Sequence, residues 1–427
     1  MKSIDDIAAA LQGYDPHALS VDQVNAFLRE LVQPLSAHES QDVYLFDALG
    51  RVLAQDVISP INVPAHNNSA MDGFAFDASQ LQADHPLTLR VVGTALAGKA
   101  WQGKVNAGEC LKIMTGAILP DGLDTVVPQE FCQVISTHDV STVTIPPKLL
   151  KAGDNRRLAG EDLMQGQPAL KAGQHLMPAA LGLVASLGLP DVRVHRRLRV
   201  AYFSTGDEVL SLGEAPREGA VYDSNRYTVF GLLTRMGCEV IDMGVVRDDP
   251  ALLENAFARA ALEADAIITS GGVSVGEADF TKAMMKKLGD VAFWKIAMRP
   301  GRPMAVGRIG KSVLFGLPGN PVAVMVTFLA FVRPALLRMM GSTSQSAPLL
   351  RAKSLEPLRK KAGRTEYQRG FVSSAADGTL QVRTTGNQGS GVLSSMVQGN
   401  GLIVLHHAQG NVAVGEEVDV MMFEGAI

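Results

Sequence analysis

The segment Ala-Ile-Ile-Thr-Ser-Gly-Gly-Val-Ser-Val-Gly-Glu-Ala-Asp, residues 266–279, joins a short apolar run to a glycine turn that ends in acids. The apolar run predicts a buried strand, and the acids precede a helical pattern reaching Leu288. Glycines let backbone N–H groups approach an anion closely, and a helix N-terminus adds about half a positive charge. The segment predicts a strand–turn–helix unit that binds a phosphorylated ligand. The alternatives are that the glycines form only a tight turn and that Asp279 only caps the helix.

The same alternation of strand and helix extends on both sides of this segment. Asp223 and Asp249 are predicted N-caps of helices reaching Met236 and Ala264, the second with a proline at its first position. The predicted strands are 198–203, 240–245, 266–269 and 313–315. Such alternation implies a doubly wound parallel sheet with ligands at the carboxyl ends of its strands.

Two further turns follow predicted strands of this sheet. Ser-Thr-Gly-Asp-Glu at 204–208 places acids at the same edge, and Leu-Pro-Gly-Asn-Pro at 317–321 leads into the last long helix. Asp248 and Asp249 open another turn, where one of the two is expected to be only an N-cap. Hard oxygen ligands suit Mg²⁺, although a single acid after a strand is more often a solvated loop residue. No Walker A lysine loop or GxGxxG turn occurs on these strands.

Three cations lie between the acid-bearing turns. Lys295, Arg299 and Arg302 are spaced by four and three residues in a segment that contains two prolines. They are candidates for receiving an oxyanion. The alternative is a solvated basic edge.

The composition bounds the class of protein. The chain has 427 residues, 47% hydrophobic and 19% charged, with a formal net charge of −4 and three distant cysteines. These values predict a globular protein of several domains in a reducing compartment, without a nucleic-acid footprint, disulfide framework or zinc site. No apolar signal segment follows Lys2, and the apolar run 322–337 is shorter than the roughly 20 residues of a membrane span. We therefore expect a cytoplasmic protein with a buried helix at 322–337.

The predicted fold class is α/β plus all-β. Short β-rich runs at 88–92, 110–114, 125–128 and 140–145 predict a small β domain, and the glycine-punctuated segment after 346 predicts a C-terminal β-barrel or sandwich. The predicted domains are an elongated N-terminal and linker domain with helical parts (1–58 and 148–192), the small β domain (59–147), the α/β domain (193–345) and the C-terminal β-barrel domain (346–427). Turns at 67–75 and 113–117 carry small residues and an acid, which is also ordinary hairpin chemistry.

Taken in order, several segments resemble one family. They are Asn68–Gly73, Met114–Ala117, Gly160–Asp162, Ser204–Glu208, Ser270–Asp279, Leu317–Pro321, Gln368–Gly370 and Gly389–Ser390. Each is weak alone, but the ordered set resembles the MoeA family of molybdopterin molybdenumtransferases, whose eukaryotic counterpart is the gephyrin E domain. The resemblance covers essentially the whole chain.

The resemblance implies a four-domain homodimer with an active site between the α/β domain of one subunit and the β domain of the other. It implies Mg²⁺-dependent insertion of molybdate into adenylylated molybdopterin with release of AMP. The implied catalytic residues are Asp72, Thr115, Asp162, Glu208, Asp248 and Asp279, the last three around Mg²⁺. The implied substrate-binding residues are Ser270, Gly271, Gly272, Ser274, Gly276, Lys295, Arg299, Arg302, Pro318, Gly319, Asn320, Arg369 and Ser390.

One departure from the family concerns the molybdate site. Arg299-Pro300-Gly301-Arg302-Pro303 stands where some members have Lys-Pro-Gly-Lys-Pro. Arginine binds oxyanions through a planar fork and lysine through a point charge, so molybdate affinity is expected to differ while the reaction class does not.

Three other functions compete with this interpretation. An adenylyltransferase acting one step earlier would need ATP, and a nucleotide-processing hydrolase could use a similar α/β unit. A gephyrin-like scaffold would bind a partner without chemistry. Transient contacts with the molybdopterin adenylyltransferase and with cofactor-accepting proteins are also expected.

Overall fold

The structure is a computed structural model, and it describes residues 2–137, 140–273, 280–344 and 348–424. The chain divides into two compact units. The first unit comprises Met1–Ala54, Gly173–Met177 and Arg193–Ile427, and the second comprises Gln55–Ala172 and Pro178–Val192. The predicted fold class, a central α/β domain with a β domain and a C-terminal β-barrel, is confirmed. The four predicted domain boundaries stay a prediction.

The centre of the first unit is a six-stranded sheet. Its spatial order is Glu239–Val246, Arg199–Thr205, Ala266–Ser270, Ser312–Leu317, Pro303–Ile309 and Gly289–Lys295. The first four strands are parallel, as predicted, and the last two form an antiparallel hairpin on the edge. The sequence analysis did not predict this hairpin. Its glycines explain its close pairing, because a Cβ on Gly307 would lie 2.1 Å from the Asp290 carbonyl oxygen.

Helices cover both faces of this sheet. Asp223 and Asp249 cap the first two helices as predicted, each accepting hydrogen bonds from backbone N–H groups of the first turn. Buried apolar side chains of the helices pack on the strands, for example Phe257 against Phe203, with ring centroids 5.1 Å apart. The helices are Ser224–Arg235, Pro250–Glu263, Phe280–Leu288 and the nearly continuous run Pro321–Thr327, Phe328–Val332 (a π-helical turn) and Arg333–Met339.

The helical run Pro321–Met339 is a core element. Its 19 residues and hydropathy of 1.8 make it long and apolar enough to cross a membrane by composition alone, but 72% of it is buried inside the protein. It therefore packs as the buried helix that the sequence predicted, slightly longer than expected. Two N-terminal helices, Ile4–Ala10 and Val21–Leu31, pack against the same core.

The C-terminal part of the first unit is a closed barrel of five strands. Each strand pairs with two others, so the ring has no free edge. The short strand Met298–Arg299 pairs with Thr365 and Glu366 of the barrel, which attaches the arginine-bearing turn to it. The barrel strands are Leu350–Ser354, Thr365–Ser374, Leu380–Thr384, Gly401–Leu405 and Glu417–Met422, and the helix Ser394–Gln398 lies between the third and the fourth of them in the chain.

The second unit is built on another six-stranded sheet. Its order is Thr125–Pro128, Gly73–Phe76, Glu109–Ile113, Leu87–Ala95, Val140–Ile145 and Gln133–Thr137, which includes the four strands predicted for the small β domain. The unit also contains the helix Pro178–Ser186 and the strand pairs Asn68–Ser69 with Arg156–Arg157 and Val57–Ile58 with Pro168–Leu170. The remaining short strands of the chain are Ser40–Tyr44, Asp191–His195, Val209–Leu210 and Val221–Tyr222.

Candidate functional site

The turns at the carboxyl ends of the parallel strands meet around three adjoining cavities of the first unit. We call the middle one the arginine cavity, with a volume of about 460 Å³. It brings together many of the predicted site residues, namely Glu208, Gly271, Gly272, Arg299, Arg302, Pro318, Gly319, Asn320 and Ser390. Two cations, the glycine turn and a carboxylate therefore line the same cavity, as the sequence analysis expected for neighbouring strand ends.

The glycine turn is too tight for any side chain. Gly271 and Gly272 have φ angles of +90° and +65°, in the left-handed region that favours glycine. A Cβ on Gly271 would lie 2.5 Å from the Thr205 carbonyl oxygen, and one on Gly272 would lie 2.4 Å from Thr281 Cβ. The Gly271 N–H donates to the Leu317 carbonyl, so an anion at this turn depends on the amides that follow. The predicted residues Ser274, Gly276 and Asp279 lie outside the described residues.

The cations enter the cavity from the turn that precedes the antiparallel hairpin's second strand. Arg299 and Arg302 are exposed at the two ends of this turn, which contains a cis Arg299–Pro300 peptide and Gly301 at φ +94°. The Ile296 N–H donates to the Arg302 carbonyl at 2.7 Å and closes the turn. Lys295 instead ends the edge strand, donates its N–H to Pro16, and is not among the lining residues of the three cavities.

Ser390 belongs to a barrel loop fastened to the end of the sheet. Its carbonyl accepts from the Val322 N–H at 3.1 Å, and its hydroxyl accepts from Asn320 Nδ2 at 3.0 Å. Residues 320 and 322 stand at the start of the long helix. The loop from the barrel therefore contributes Ser390 to the wall of the arginine cavity beside the start of the long helix.

Arg369 holds this loop from inside the barrel. Its side chain is 1% exposed, and its guanidinium donates to Ser395 Oγ and to the Gly389 carbonyl, each at 2.9 Å. Burial, with Arg299 nearby, lowers the pKa of Arg369 to about 10. The Gln388 amide pairs with the Arg369 backbone through bonds of 2.7 and 3.1 Å. These contacts position the loop, while the predicted contact of Arg369 with substrate stays a prediction.

A second cavity, the barrel cavity, has a volume of about 260 Å³. It shares Arg299, Pro300 and Gln388 with the arginine cavity. Arg369 lines it. Arg299 could therefore contact an anion in either the barrel cavity or the arginine cavity.

The third cavity, the hydroxyl cavity, has a volume of about 470 Å³ and shares Glu208, Gly271, Gly319 and Asn320 with the arginine cavity. The predicted residue Ser270 lies on its wall, side by side with Ser204 on the neighbouring strand. Both serine hydroxyls contact the buried phenol of Tyr202, whose pKa is raised by burial. Strand-end hydroxyls thus form the floor beside the glycine turn.

The carboxylates expected around Mg²⁺ lie on neighbouring turns. Glu208 lines both larger cavities, and the Asp248 N–H donates to Asp207 Oδ1 at 3.3 Å, linking the turns that follow two adjacent strands. No group of three or more His, Cys, Asp or Glu residues that could hold a metal occurs among the residues described. Glu208 supplies a carboxylate of the kind that Mg²⁺ accepts, whereas Asp248 is not among the lining residues of the three cavities.

The remaining predicted catalytic residues belong to the second unit. Asp72 Oδ1 accepts from both the N–H and the hydroxyl of Thr115 at 2.7 Å, and these hydrogen bonds lower the pKa of Asp72. Asp162 is exposed and donates its N–H to the Val63 carbonyl. Within the described part of the chain, no hydrogen bond or ion pair is recorded between Asp162 and this pair. Of the three residues, the structure brings Asp72 and Thr115 into contact, although they are 43 residues apart in sequence.

Sequence reasoning missed several residues that line these cavities or, in the case of Tyr202, hold a lining residue from below. Tyr202 was taken as part of a buried strand, Asp223 and Asn225 as a helix cap, and Gln388 was not considered. A signal for the helix cap was present, because the start of a helix after a strand faces the ligand edge of a doubly wound sheet. No local signal identified Tyr202 or Gln388.

Comparison with known proteins places these features in a context. Three family models match in order along the chain: the MoeA N-terminal region (domain I and II) at residues 19–188, a probable molybdopterin binding domain at 201–338, and the MoeA C-terminal region (domain IV) at 351–423. A Haemophilus influenzae protein named molybdopterin molybdenumtransferase is 43% identical over 95% of this chain and 98% of its own length.

Other relatives also match this chain over nearly the whole length of both proteins. A Nostoc protein named molybdopterin molybdenumtransferase is 34% identical over 96% of this chain and 95% of its own length. The crystal structure of a molybdopterin biosynthesis moeA protein from Pyrococcus horikoshii superposes with a TM-score of 0.80 at 26% identity, covering 95% of this chain and 100% of that protein.

Proposed function

Because this chain belongs to the MoeA family and is an enzyme of that type, we propose that it inserts molybdate into adenylylated molybdopterin and releases AMP. The reaction would complete molybdenum cofactor biosynthesis and would depend on Mg²⁺. The observation that carries the proposal is the arginine cavity, where two arginines, a glycine turn and a carboxylate converge at the carboxyl end of a parallel sheet.

The arginines supply the affinity for molybdate. Molybdate is a dianion that is strongly hydrated in bulk water, so a site must offer charge and several donors to compete. Arg299 and Arg302 each present a planar set of N–H donors towards the same cavity. The Ser390 hydroxyl, held by Asn320, adds a fixed polar group to the wall of the same cavity.

The glycine turn and Glu208 serve the phosphoanhydride. Backbone amides after Gly271 can approach the phosphate oxygens because no Cβ intervenes. Glu208 and Asp248 are the described residues that would hold Mg²⁺. When bound, Mg²⁺ supplies positive charge that stabilises the phosphate oxygens during cleavage. In the cleavage itself, water adds to one phosphorus of the anhydride and the bond from that phosphorus to the bridging oxygen breaks. AMP and the phosphate ester of molybdopterin are the two products, and the protons of the water pass to solvent.

Insertion and cleavage are coupled because the adenylyl group is what holds the substrate in the site. Glu208 lies on the boundary of the arginine and hydroxyl cavities, so an anhydride beside it has one half of the substrate in each cavity. The dithiolene half would lie beside the arginines. Molybdate captured there meets the dithiolene before the anhydride is cut.

We further propose that the active form is a cytoplasmic homodimer. Asp72, Thr115 and Asp162 of a second copy would complete the site, in line with the family resemblance. Asp72 is ionised and oriented by Thr115, which suits a group that orders substrate or water. Transient contacts with the molybdopterin adenylyltransferase and with cofactor-accepting proteins would deliver substrate and remove product.

The test is AMP release from adenylylated molybdopterin by the purified protein with Mg²⁺, with and without molybdate. Release that requires molybdate supports insertion, and loss of release in Glu208→Gln with retained folding supports the site. If the protein instead forms the adenylylate from molybdopterin and ATP, the adenylyltransferase function replaces this proposal.

A further inference from the structure

Residues 2–19, which we call the N-terminal arm, almost entirely precede the part of the chain that the family models match, since the first model begins at residue 19. The arm contains the helix Ile4–Ala10 and runs along Gly289–Lys295, the edge strand of the central sheet. Near the start of that strand, Asp290 Oδ2 accepts from the Ile4 N–H at 3.0 Å. Within the described residues, the arm lines none of the three cavities, so any effect on the site must pass through other residues.

The end of the arm is hydrogen-bonded to the base of the turn that carries the two cavity arginines. Three successive backbone N–H groups at this base donate alternately to the arm and to the far end of the turn. The three bonds, in chain order, run from Lys295 to the Pro16 carbonyl at 2.8 Å, from Ile296 to the Arg302 carbonyl at 2.7 Å and from Ala297 to the Leu19 carbonyl at 2.8 Å. The arm therefore binds the residues on both sides of the one that closes the turn.

Buried side chains attach the arm at the same place. Leu19 and Ile296 form a parallel bridge and are 1% and 0% exposed. Tyr14 Oη accepts from the indole Nε1 of Trp294 at 3.0 Å, and Trp294 is also buried. Without Tyr14 this indole N–H would lack a partner, which is unfavourable in an interior. The pairing of arm and turn thus involves both backbone and side chains.

The position of the two arginines depends on the backbone beneath them. Arg299 and Arg302 are exposed side chains that line the arginine cavity, and each lies a few residues after the paired segment 295–297. On the other side of this segment, the Ala297 carbonyl accepts from the Thr365 N–H of the barrel at 2.9 Å. The segment is therefore held between arm and barrel. Holding it before an anion arrives reduces the conformational entropy that binding removes.

We propose that the N-terminal arm is a positioning element for the molybdate site. It fixes the base of the turn, and thereby holds Arg299 and Arg302 in place for the oxyanion. Tyr14, Pro16 and Leu19 are the positioning residues, and they act through segment 294–297 without touching substrate. The inference rests on the proposed function, which assigns molybdate to the arginine cavity. The competing explanation is that the arm only covers the free edge of the sheet, in which case its loss changes stability and not molybdate affinity.

The first test compares two deletions in the full chain by calorimetric titration with molybdate. Deletion of residues 2–19 removes both carbonyl acceptors and Tyr14, and it keeps Ser20, the N-cap of the helix Val21–Leu31. The matched control is deletion of residues 2–11, which removes the helix Ile4–Ala10 with two buried isoleucines but keeps the paired end of the arm. Its residues 12 and 13 stay attached, because their carbonyls accept from Gln23 Nε2 at 3.1 Å.

Both deletions should lower the thermal midpoint, whereas only the longer one should affect the arginines. We expect molybdate to bind about 10-fold more weakly to the longer deletion and with wild-type affinity to the control. AMP release at saturating molybdate should stay close to the wild-type rate in both, because Glu208 and the glycine turn belong to other strands. The longer deletion should therefore raise the KM for molybdate and leave kcat nearly unchanged, a result that loss of stability alone does not give.

The second test uses the wild type and does not depend on the folding of a deletion. If the protein with an undocked arm binds molybdate about 10-fold more weakly, linkage requires saturating molybdate to suppress undocking by the same factor. Hydrogen exchange of the Lys295 and Ala297 amides should then slow about 10-fold when molybdate is added. Unchanged exchange, or wild-type molybdate affinity in a folded longer deletion, overturns this inference alone. A wild type that binds no molybdate overturns the proposed function together with it.

Discussion

Gly271→Ala should separate backbone strain from steric displacement at the glycine turn. Gly271 has φ +90°, and its added Cβ would lie 2.5 Å from the Thr205 carbonyl oxygen. Gly213 provides a matched control, because it has φ +91° and no atom within 4 Å of its added Cβ. Alanine at either position carries the cost of a left-handed backbone, roughly 1–2 kcal/mol. Only Gly271→Ala also forces the turn away from the neighbouring strand that ends at Thr205.

The additional cost at Gly271 follows from the contact distance. Real Cβ atoms essentially never approach a heavy atom closer than 3.0 Å, so the turn or the strand end must move by about 0.5 Å or more. Displacements of this kind in a packed interior cost about 1–3 kcal/mol. We therefore expect Gly271→Ala to lower the free energy of unfolding by about 1–3 kcal/mol more than Gly213→Ala does.

The assay combines thermal unfolding with AMP release from adenylylated molybdopterin. Both variants should lower the unfolding midpoint, and Gly271→Ala should lower it further. AMP release should fall at least about 10-fold in Gly271→Ala, since phosphate-binding amides are displaced, and should be unchanged in Gly213→Ala. Equal midpoints together with normal release in Gly271→Ala would refute the tight-turn argument.

Three further predictions concern other parts of the site. The double variant Arg299→Ala, Arg302→Ala should weaken molybdate binding by at least about 100-fold, because two cations with several N–H donors are removed from the cavity; unchanged equilibrium binding would contradict their role. Mixed dimers of Asp72→Ala and Glu208→Ala subunits should release AMP although neither parent does, and inactivity of the mixture would argue against a site shared between subunits. Thr115→Val should raise the pKa of Asp72, measured by NMR titration, because a hydroxyl donor is lost. The native hydrogen bonds lower this pKa. Their contribution to the stability of the folded protein is therefore present above the ordinary aspartate pKa and is lost as the pH falls through the lowered value.

The elements best determined by sequence were those set by local chemistry. Asp249 followed by Pro250 specified the start of a helix, since the carboxylate satisfies free N–H groups and proline fits the first turn. The apolar run that begins at Ala266 predicted a buried strand at 266–269, and a central parallel strand is present at Ala266–Ser270. The ordered motifs also identified the family, because each records a backbone or charge requirement within a few neighbouring residues.

Tertiary structure decided which of these groups meet. Ser204 and Ser270 are 66 residues apart and Asn320 and Ser390 are 70 apart, so no local pattern could pair them. The inward direction of the Arg369 guanidinium depends on carbonyls of a loop that only the closed barrel brings near. Sequence thus fixed the types of chemistry at each strand end, while the packing of strands, hairpin and barrel fixed their distances, because those distances depend on contacts between residues far apart in the chain.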